Sequence, residues 1–324
     1  MLHSNNQLEF LLVNITAIRT YTFNMNKLVT AIITTHNRRI LLERAIESVL
    51  AQTYEYMELI IVDDGSTDAT EVYCEALVKS EKRMPIVYIR IEPGKGHGGN
   101  YARNLGIRTA KGTYVAFLDD DDMWLPEKTV KQVELIECMN NEIVYCGRKI
   151  EFVKEKKITY QDILPCSEHY GDMSRKILLT ICTTTSSILV KRQTLFDIGL
   201  FDENLKFWQE YELTIRLAQR QPLYFVNEPL NIYRVDRRDK IRLTNKYFEW
   251  KQTVKTIHEK HRELYAKLNS YEKFMVHVLV WSDALSRCKS SGLKWHAYYF
   301  YVLVFIGLLP HRLGKVWTLF TFEK

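Results

Sequence analysis

Two runs of adjacent carboxylates in the chain could support metal or phosphate chemistry. One run is Asp119–Asp122, four aspartates in succession, and the other is the pair Asp63 and Asp64. Adjacent carboxylates repel one another, and bound Mg²⁺ or Mn²⁺ would offset that cost because hard cations bind carboxylate and phosphate oxygens. A solvated acidic turn before the helix that follows Pro126 is the structural alternative.

Each acidic run follows a predicted buried strand. Short apolar runs rich in β-branched residues predict strands over Leu28–Thr34, Leu59–Val62, Ile86–Ile91 and Tyr114–Leu118. Helical spacing of apolar residues predicts helices over Arg39–Gln52, Thr67–Ser80 (capped by Ser66 or Thr67) and Asn100–Ala110. This alternation predicts a mostly parallel sheet flanked by helices. Ligands bind such sheets at the carboxyl ends of the strands, where both acidic runs lie.

The second half of the chain is less regular. Strands are predicted over Glu142–Val153, Ser186–Val190 and Tyr224–Val226, and a helix over Leu213–Gln219. From Tyr247 onward the pattern is helical. We therefore expect an N-terminal extension (residues 1–26), an α/β domain (27–235) and a helical C-terminal region (236–324).

Composition and charge narrow the class of protein. Of the 324 residues 46% are hydrophobic, which is ordinary for a globular chain. Residues 231–324 carry 18 basic and 8 acidic side chains, whereas residues 1–230 carry 27 basic and 31 acidic ones. That asymmetry argues against a nucleic-acid partner and indicates an acidic catalytic portion with a basic tail. The six cysteines include no C-x-x-C pair, so we expect neither a zinc site nor a disulfide framework, and a reducing cytoplasm.

An apolar run near the C-terminus could contact a membrane. Ala297–Pro310 has 14 residues, which is short of the roughly 20 needed to span a bilayer. Basic side chains and histidines flank it, namely Lys294, His296, His311, Arg312 and Lys315. These flanks favour a helix in the membrane interface over a buried core helix. Farther upstream, His258 and His261 are predicted to lie on a helix surface.

A glycine-rich segment resembles a dinucleotide fingerprint by spacing alone. Gly94–Gly99 matches G-x-G-x-x-G, and Asp119 follows 20 residues after Gly99. The fingerprint belongs to the first strand of its domain, however, and here two strand–helix units come earlier. We therefore interpret the segment as a flexible loop on the phosphate side of a site.

Four polar segments occur in an order that resembles the family 2 glycosyltransferases. They are Thr34–Arg38 (TTHNR), Ile60–Asp68 (IIVDDGSTD), Ala102–Gly106 (ARNLG) and Phe117–Trp124 (FLDDDDMW). The resemblance covers about residues 27 to 234. It implies the GT-A fold of nucleotide-diphospho-sugar transferases, an α/β fold with a mostly parallel sheet, followed here by a C-terminal helical extension.

The resemblance also assigns roles around the nucleotide. Thr34 and Arg38 would lie by the nucleotide, and Asp64 would accept a hydrogen bond from the uracil. Arg103 and Asn104 would help order the diphosphate side. Asp119-x-Asp121 matches the D-x-D motif: Asp121 would hold Mn²⁺ or Mg²⁺, while Asp119 or Asp120 would contact the ribose or a metal-bound water.

The catalytic base is expected in the segment Trp208–Arg216, which resembles the family's E-D-x-D/E-L-x-x-R pattern. Glu210 occupies the position of the acid that deprotonates the acceptor hydroxyl, and Gln209 replaces the usual first acid. Glu212 is the second candidate base, and a surface helix cap is the structural alternative for Glu210. The family's Tyr-Arg-x-His stretch recurs imperfectly at Tyr233–Asp236.

The resemblance implies an inverting glycosyltransferase. It would move a sugar from a UDP-sugar to a hydroxyl of a glycan or lipid-linked acceptor in bacterial surface-polysaccharide synthesis. Thr183–Ser187 could line the sugar or acceptor pocket, and the chain would be cytoplasmic, held peripherally at the inner face of the membrane. Two alternatives remain. A nucleotidyltransferase usually has a glycine-rich loop after the first strand, which Thr34–Arg39 lacks, and a non-catalytic GT-A-like partner protein would explain the Gln209 and Glu210 departures.

Overall fold

The structure is a computed structural model that describes residues 26–154, 157–236 and 246–320, with side chains up to residue 307 in the last helix. The expected N-terminal extension therefore lies outside the described residues, apart from Asn26.

The first half of the described chain alternates strands and helices. The elements are β1 (Val29–Thr35), α1 (Arg39–Leu50), β2 (Met57–Asp63), α2 (Thr70–Ser80), β3 (Ile86–Arg90), α3 (Gly99–Thr109) and β4 (Tyr114–Asp119). The four strands are parallel in the order β3-β2-β1-β4. Alternate residues of β1 face opposite layers: Ile32 packs in the cluster that includes α3, and Ile33 packs in the cluster that includes α1. The predicted alternation is confirmed.

The predicted start of the second helix was wrong. Helix α2 begins at Thr70 rather than Thr67, and neither Ser66 nor Thr67 caps it. The backbone N–H of Ser66 instead donates to Asp63 Oδ1, and that of Thr67 donates to Asn37 Oδ1, both at 2.8 Å. These bonds hold the two residues in the loop after β2, on the side that faces the end of β1.

The second half turns the sheet from parallel to mixed. Its elements are β5 (Met123–Trp124), α4 (Lys128–Cys138), β6 (Ile143–Lys154), β7 (Lys157–Ile163), β8 (Ile188–Lys191), α5 (Arg192–Asp197), α6 (Gln209–Ala218) and β9 (Tyr224–Asp236). Strand β8 is antiparallel to both β4 and β6, which lie on either side of it. Helix α6 begins at Gln209, four residues before the predicted Leu213. Strand β9 is longer than predicted, because it pairs with β6 as far as Asp236 and also with β5.

The C-terminal helices pack onto the α/β domain. They are α7 (Tyr247–Lys260), α8 (Arg262–Ala266), α9 (Ser270–Ser290) and α10 (Lys294–Phe320), and the predicted helical pattern is confirmed. Trp250, Ile257 and Cys288 are buried in the same apolar cluster as Tyr211 and Leu213 of α6. The C-terminal region therefore supports α6 directly.

Helix α10 packs on α9 along one side. Ala297 is buried, and Gly307 lies so close to Val278 of α9 that an added Cβ would come within 2.7 Å of it. The other side leaves large apolar side chains in solvent, namely Trp295, Tyr298, Tyr299, Tyr301, Phe305 and Ile306. Within the described part of the chain, no helix is long and apolar enough to cross a membrane.

Candidate active site

The four aspartates after β4 alternate between the cleft and the interior. The side chains of Asp119 and Asp121 are 33% and 22% exposed, whereas that of Asp120 is 7% exposed and Asp122 is buried. The chain is extended up to Asp119 and then turns, so successive side chains point in different directions. Only Asp119 and Asp121 are therefore placed to meet a ligand from solvent.

Two arginines neutralise these carboxylates. Arg103 Nη2 donates to Asp119 Oδ1 at 2.6 Å, and the Arg103 guanidinium also packs over the Phe201 ring. Arg38 Nη1 lies 3.2 Å from Asp120 Oδ1 and 3.3 Å from Asp121 Oδ2. The guanidinium groups of Arg38, which precedes α1, and of Arg103, within α3, thus both contact the acidic turn.

The inward-facing aspartates hold the turn in place. Asp120 Oδ2 accepts from Thr35 Oγ1 at 2.9 Å, and burial raises the pKa of Asp120 to about 7 in spite of the nearby Arg38 charge. Asp122 Oδ1 accepts from the backbone N–H of Arg234 at 3.1 Å. Burial, with the charges of Asp121 and Asp119, raises the pKa of Asp122 well above its usual range. Both inward carboxyls therefore connect the turn to neighbouring strands.

The outward carboxylates suit a cation that is shared with a substrate. Among the described residues, no group of three or more histidine, cysteine, aspartate or glutamate side chains could hold a metal ion by itself. Mg²⁺ is commonly held by one or two carboxylates together with substrate phosphates and water. Asp119 and Asp121 supply that kind of donor set, so the residues fit Mn²⁺ or Mg²⁺ bound jointly with a diphosphate.

The glycine-rich segment folds over Asp64. The backbone N–H groups of His97 and Gly98 each donate to the Asp64 carboxylate at 2.8 Å. Gly96 passes so close that an added Cβ would lie 2.7 Å from the Asp64 carbonyl oxygen. Thr34, at the end of β1, lies between Val62 and Asp119 in the sheet register. Thr34, Asp64 and the acidic turn therefore lie together at the carboxyl ends of the parallel strands, and the glycine-rich segment packs against Asp64.

Asn104 is hydrogen-bonded to the segment that precedes α6. Its Nδ2 donates to the Phe201 carbonyl at 2.9 Å and to Glu203 Oε1 at 2.7 Å, and its Oδ1 accepts from the Phe201 N–H at 2.9 Å. The amide of Asn104 is therefore engaged with the segment that precedes α6, while the neighbouring Arg103 points to Asp119.

Helix α6 carries Glu210 at its start, facing the acidic turn. Glu210 is partly buried, and its carboxylate forms no hydrogen bond with a described side chain. Burial raises its pKa, and the charge of Asp119 adds to this rise, while Arg103 and Arg287 oppose it. Its neighbour Gln209 donates from Nε2 to the Lys206 carbonyl. Glu210 is thus a carboxylate near the cleft with a raised pKa, a property typical of general acids and bases.

Glu212 lies on the other side of α6 and is fully buried among cations. Arg216 Nη2, Lys260 Nζ and His261 Nε2 lie 2.7, 2.9 and 3.0 Å from its carboxylate oxygens. Burial alone would raise its pKa, but hydrogen bonds from His261 and Arg216 outweigh it and lower the pKa to about 2. A carboxylate so strongly held is a poor proton acceptor, so the geometry disfavours Glu212 as the base.

The start of α6 is anchored by α9. Trp208, the residue before α6, has φ 52°, a left-handed conformation that is uncommon for a residue other than glycine. Its Nε1 donates to Asp283 Oδ2 at 2.8 Å, and Arg287 Nε donates to the same oxygen at 2.9 Å. The Arg287 guanidinium also packs over Phe207. These contacts hold the strained residue two positions before Glu210.

The segment Thr183–Ser187 connects the acidic turn to α6. Ser186 Oγ accepts from the Asp119 N–H at 3.1 Å, and Thr183 Oγ1 lies 2.9 Å from Thr214 Oγ1. Thr214 in turn donates to the Glu210 carbonyl at 2.6 Å. The segment therefore lies between the two candidate functional groups, Asp119 and Glu210.

The amino-acid sequence matches the model of one protein family. The sequence model described as "Glycosyl transferase family 2" matches residues 30–195, half of the chain. The chain belongs to glycosyl transferase family 2. The matched region contains β1 to β8 and the acidic turn, and it ends before α6.

Relatives with assigned names include glycosyltransferases of known and unknown specificity. The chain is 35% identical over 208 residues to an uncharacterized glycosyltransferase of Rickettsia prowazekii, covering 63% of this chain and 62% of that protein. It is 34% identical over 168 residues to the Escherichia coli enzyme WfaP, a UDP-Glc:alpha-D-GlcNAc-diphosphoundecaprenol beta-1,3-glucosyltransferase, covering 52% of this chain. The chain spans about three fifths of the length of these relatives.

Solved structures share the fold. The mannosyltransferase PcManGT from Pyrobaculum calidifontis, in complex with GDP-Man and Mn²⁺, has a TM-score of 0.55 at 15% identity, covering 97% of this chain and 88% of its own. TarS 1–349 of S. aureus, in complex with UDP-GlcNAc, has a TM-score of 0.52 at 16% identity, covering 89% and 92%. The predicted GT-A fold is confirmed.

Some contacts around α6 were not predicted from the sequence. His258 and His261 were expected on a helix surface, which was wrong: the His261 side chain is 10% exposed against Glu212, and His258 packs on Tyr265 with ring centroids 4.3 Å apart. Asp283 and Arg287 were also missed, because they follow Trp208 by more than 70 residues and match no local motif. Only the tertiary packing of α7 and α9 reveals these roles.

Proposed function

We propose that the chain transfers a sugar from a UDP-sugar to a hydroxyl of a glycan or lipid-linked acceptor, with inversion at the anomeric carbon, in bacterial surface-polysaccharide synthesis. The observation that carries the proposal is Glu210, a partly buried carboxylate with a raised pKa and no side-chain partner among the described residues, facing Asp119. Direct displacement needs a single base, the role given to Glu210, and no nucleophilic carboxylate. The names of WfaP and of TarS in complex with UDP-GlcNAc support a UDP-sugar donor.

Each site residue then has a chemical task. Asp119 and Asp121 would hold Mn²⁺ or Mg²⁺, which when bound neutralises charge on the diphosphate. Thr34, Arg38 and Asp64 would bind the nucleotide, and Arg103 would orient the diphosphate side.

The chemical step rests on Glu210. In the proposed reaction it removes the proton of the acceptor hydroxyl, whose oxygen attacks the anomeric carbon while the bond to the UDP oxygen breaks. The proton ends on the Glu210 carboxylate and the electron pair leaves with UDP.

The decisive experiment measures UDP release. The full chain is given a panel of UDP-sugars and a membrane extract as the acceptor source, with Mn²⁺ or with EDTA. We expect metal-dependent release from one donor, and a loss of at least about 100-fold in kcat for Glu210→Gln, the size typical of a missing general base.

Gln209→Glu is the matched control, because it changes the adjacent residue and restores the acid of the family pattern. It should keep most of the activity. A Glu210→Gln variant as active as the unchanged chain would exclude Glu210 as the base. UDP binding without release from any donor would favour the non-catalytic alternative, and release of pyrophosphate from a nucleoside triphosphate would favour the nucleotidyltransferase.

We also propose that α10 docks on the inner face of an anionic membrane. Trp295, Tyr299 and Phe305 are exposed on one side of the helix, and Trp295 is 85% exposed. Aromatic side chains of this kind are typical of interfacial helices, and Lys294 lies beside them. The predicted basic flank at His311, Arg312 and Lys315 lies beyond the described side chains.

Sedimentation with phosphatidylglycerol vesicles tests this docking. The pair of substitutions Trp295→Glu and Tyr299→Glu should lower the bound fraction several-fold. Val72→Glu, at an exposed apolar residue of α2, should not change it. Equal binding by all three proteins would contradict docking through α10.

A further inference from the structure

A small cavity is lined in part by the Thr183–Ser187 segment, in which Ser186 accepts a hydrogen bond from the Asp119 N–H. It has no role in the proposed nucleotide site. Its volume is about 120 Å³. A single water needs roughly 10–15 Å³ on this measure, so the cavity can take a group as large as a phosphate. Arg148, Cys166, His169 and Thr184 are among the residues that line it. They come from β6, the segment after β7, and the Thr183–Ser187 segment.

The sheet register places Arg148 near the carboxyl end of β4, where the acidic turn begins. Ala116 of β4 and Val144 of β6 both pair with Leu189 of β8, so they lie at the same level of the sheet. Asp119 follows Ala116 by three residues and Arg148 follows Val144 by four, so Arg148 lies about one residue beyond the level of Asp119. Strands β4 and β6 are separated by β8, which corresponds to about 10 Å across the sheet. The strand that carries Arg148 is therefore the second one over from the strand that ends at Asp119.

A bulge aims Arg148 into the cavity. The pairing of β6 with β9 shifts register between Cys146 and Arg148. Only glycine fits between them, because a Cβ on Gly147 would lie 2.8 Å from the Glu228 carbonyl oxygen and 2.9 Å from that of Ile163. Bulges bend a strand and redirect its side chains, and they are frequent next to active sites.

Arg148 differs from the other arginines around the site. Arg38, Arg103 and Arg216 each lie against a carboxylate. Arg148 is partly buried, and its side chain forms no ion pair or hydrogen bond with any residue in the described ranges. A partly buried guanidinium is stabilised by an anion that accepts its paired N–H donors. The Arg148 guanidinium is therefore available to bind an anion in the cavity.

His169 and Thr184 add neutral polar groups to the same cavity. Burial lowers the pKa of His169, so its imidazole is neutral at physiological pH and can both donate and accept hydrogen bonds. A neutral imidazole and a hydroxyl suit the oxygens of a sugar or a phosphate ester. The cavity therefore combines one cation and uncharged hydrogen-bonding groups with apolar side chains, among them Ile163, Leu164 and Ile181.

We propose that this cavity binds a phosphate of the acceptor substrate, with Arg148 as its binding residue. The inference rests on the proposed function, since it takes the acceptor to approach Glu210 from this side of the sheet. The proposed acceptor is a glycan whose first sugar carries a phosphate or diphosphate. Arg148 does not take part in the proton transfer.

Acceptor kinetics test the proposal. The probes are a GlcNAc diphosphate with a short lipid and the uncharged alkyl glycoside of the same sugar. Arg148→Gln should raise KM for the diphosphate acceptor at least about tenfold and leave KM for the alkyl glycoside and for the UDP-sugar unchanged. Arg148→Lys should restore part of the affinity. The matched control is Lys149→Gln, which removes the adjacent positive charge, paired with Asp162 at 3.4 Å.

Thiol labelling gives a readout that needs no turnover. Cys166 lines the cavity and is exposed, whereas burial raises the pKa of both Cys146 and Cys182, which also line it, to about 11 and makes them slow to react. The diphosphate probe should slow maleimide labelling of Cys166 in the unchanged chain and not in Arg148→Gln, with the labelled peptide identified by mass spectrometry.

The outcomes separate the two proposals. Labelling of Cys166 that is insensitive to a saturating diphosphate probe would overturn the cavity assignment, whether or not the chain is active. Equal losses with both acceptors, or a raised KM for the UDP-sugar, would also overturn it. Absence of transfer with protection of Cys166 intact would count against the proposed function alone.

Discussion

Glu210 and Glu212 lie two residues apart on one helix and have opposite electrostatic environments. Two residues correspond to about 200° around an α-helix, so the two side chains leave on opposite sides of α6. Glu210 faces the carboxylate of Asp119, and its pKa is raised. Glu212 faces Arg216, Lys260 and His261, and its pKa is lowered to about 2.

The difference separates a reactive carboxylate from a structural one. A base that accepts a proton in the reaction must not be stabilised too strongly in its charged form. Glu212 is stabilised by two cations and a histidine that fasten α6 to α7, so protonating it would cost folding free energy. Glu210 has no such partner among the described side chains, so its carboxylate can accept a proton without breaking an ion pair.

Substitution of Glu212 should give the largest effect on stability. Glu212→Gln leaves Arg216 and Lys260 without their buried carboxylate, and removing one partner of a buried ion pair typically costs about 3–5 kcal/mol. Urea unfolding at pH 7 should show a loss of about 3 kcal/mol. Glu210→Gln should be as stable as the unchanged chain or slightly more stable, because it removes a charge whose pKa the fold has raised. Equal losses from both substitutions would contradict the distinction.

Acid should weaken the same contact. The pKa of Glu212 is about 2 in the folded chain and near its ordinary value of 4.5 when unfolded. The stability it contributes is therefore complete above pH 4.5 and is lost as the pH falls from 4.5 towards 2. The contribution is about 3 kcal/mol. In urea melts between pH 7 and 3, the stability gap between the unchanged chain and Glu212→Gln should narrow below pH 4.5. A gap that stays constant down to pH 3 would exclude this linkage.

The sequence predicted the parallel half of the molecule better than the part that surrounds the base. Strands β1 to β4 have apolar runs whose ends carry the Asp63 and Asp119 clusters, so local pattern and site position coincide there. The base helix is different. A motif predicted the position of Glu210. What distinguishes it from Glu212 is that Lys260 and His261 contact Glu212, whereas Glu210 has only the more distant charge of Arg287 nearby on this side. Those contacts depend on how α7 and α9 pack, which no local pattern encodes.

The alternation within Asp119–Asp122 shows the same limit on a smaller scale. Four identical side chains in succession gave no means of choosing between them except the D-x-D spacing. Thr35 and the Arg234 backbone, which hold Asp120 and Asp122 inward, lie on β1 and β9. The choice of outward carboxylates is therefore made by neighbouring strands rather than by the acidic run.

The smallest expected effect tests whether the position of Glu210 depends on α9. Asp283→Ala removes the acceptor of the Trp208 indole and the partner of Arg287, so the left-handed Trp208 loses the contact that fixes it. Small displacements of a catalytic group are costly, and we expect kcat to fall about tenfold while UDP affinity stays unchanged. Asp283→Asn keeps an oxygen acceptor and should recover part of that loss.

Arg175→Ala is the control. It breaks an exposed ion pair with Glu272, which also lies on α9, and it should leave kcat unchanged. If Asp283→Ala and Arg175→Ala lower kcat equally, α9 stabilises the chain as a whole, and the position of Glu210 is set within α6.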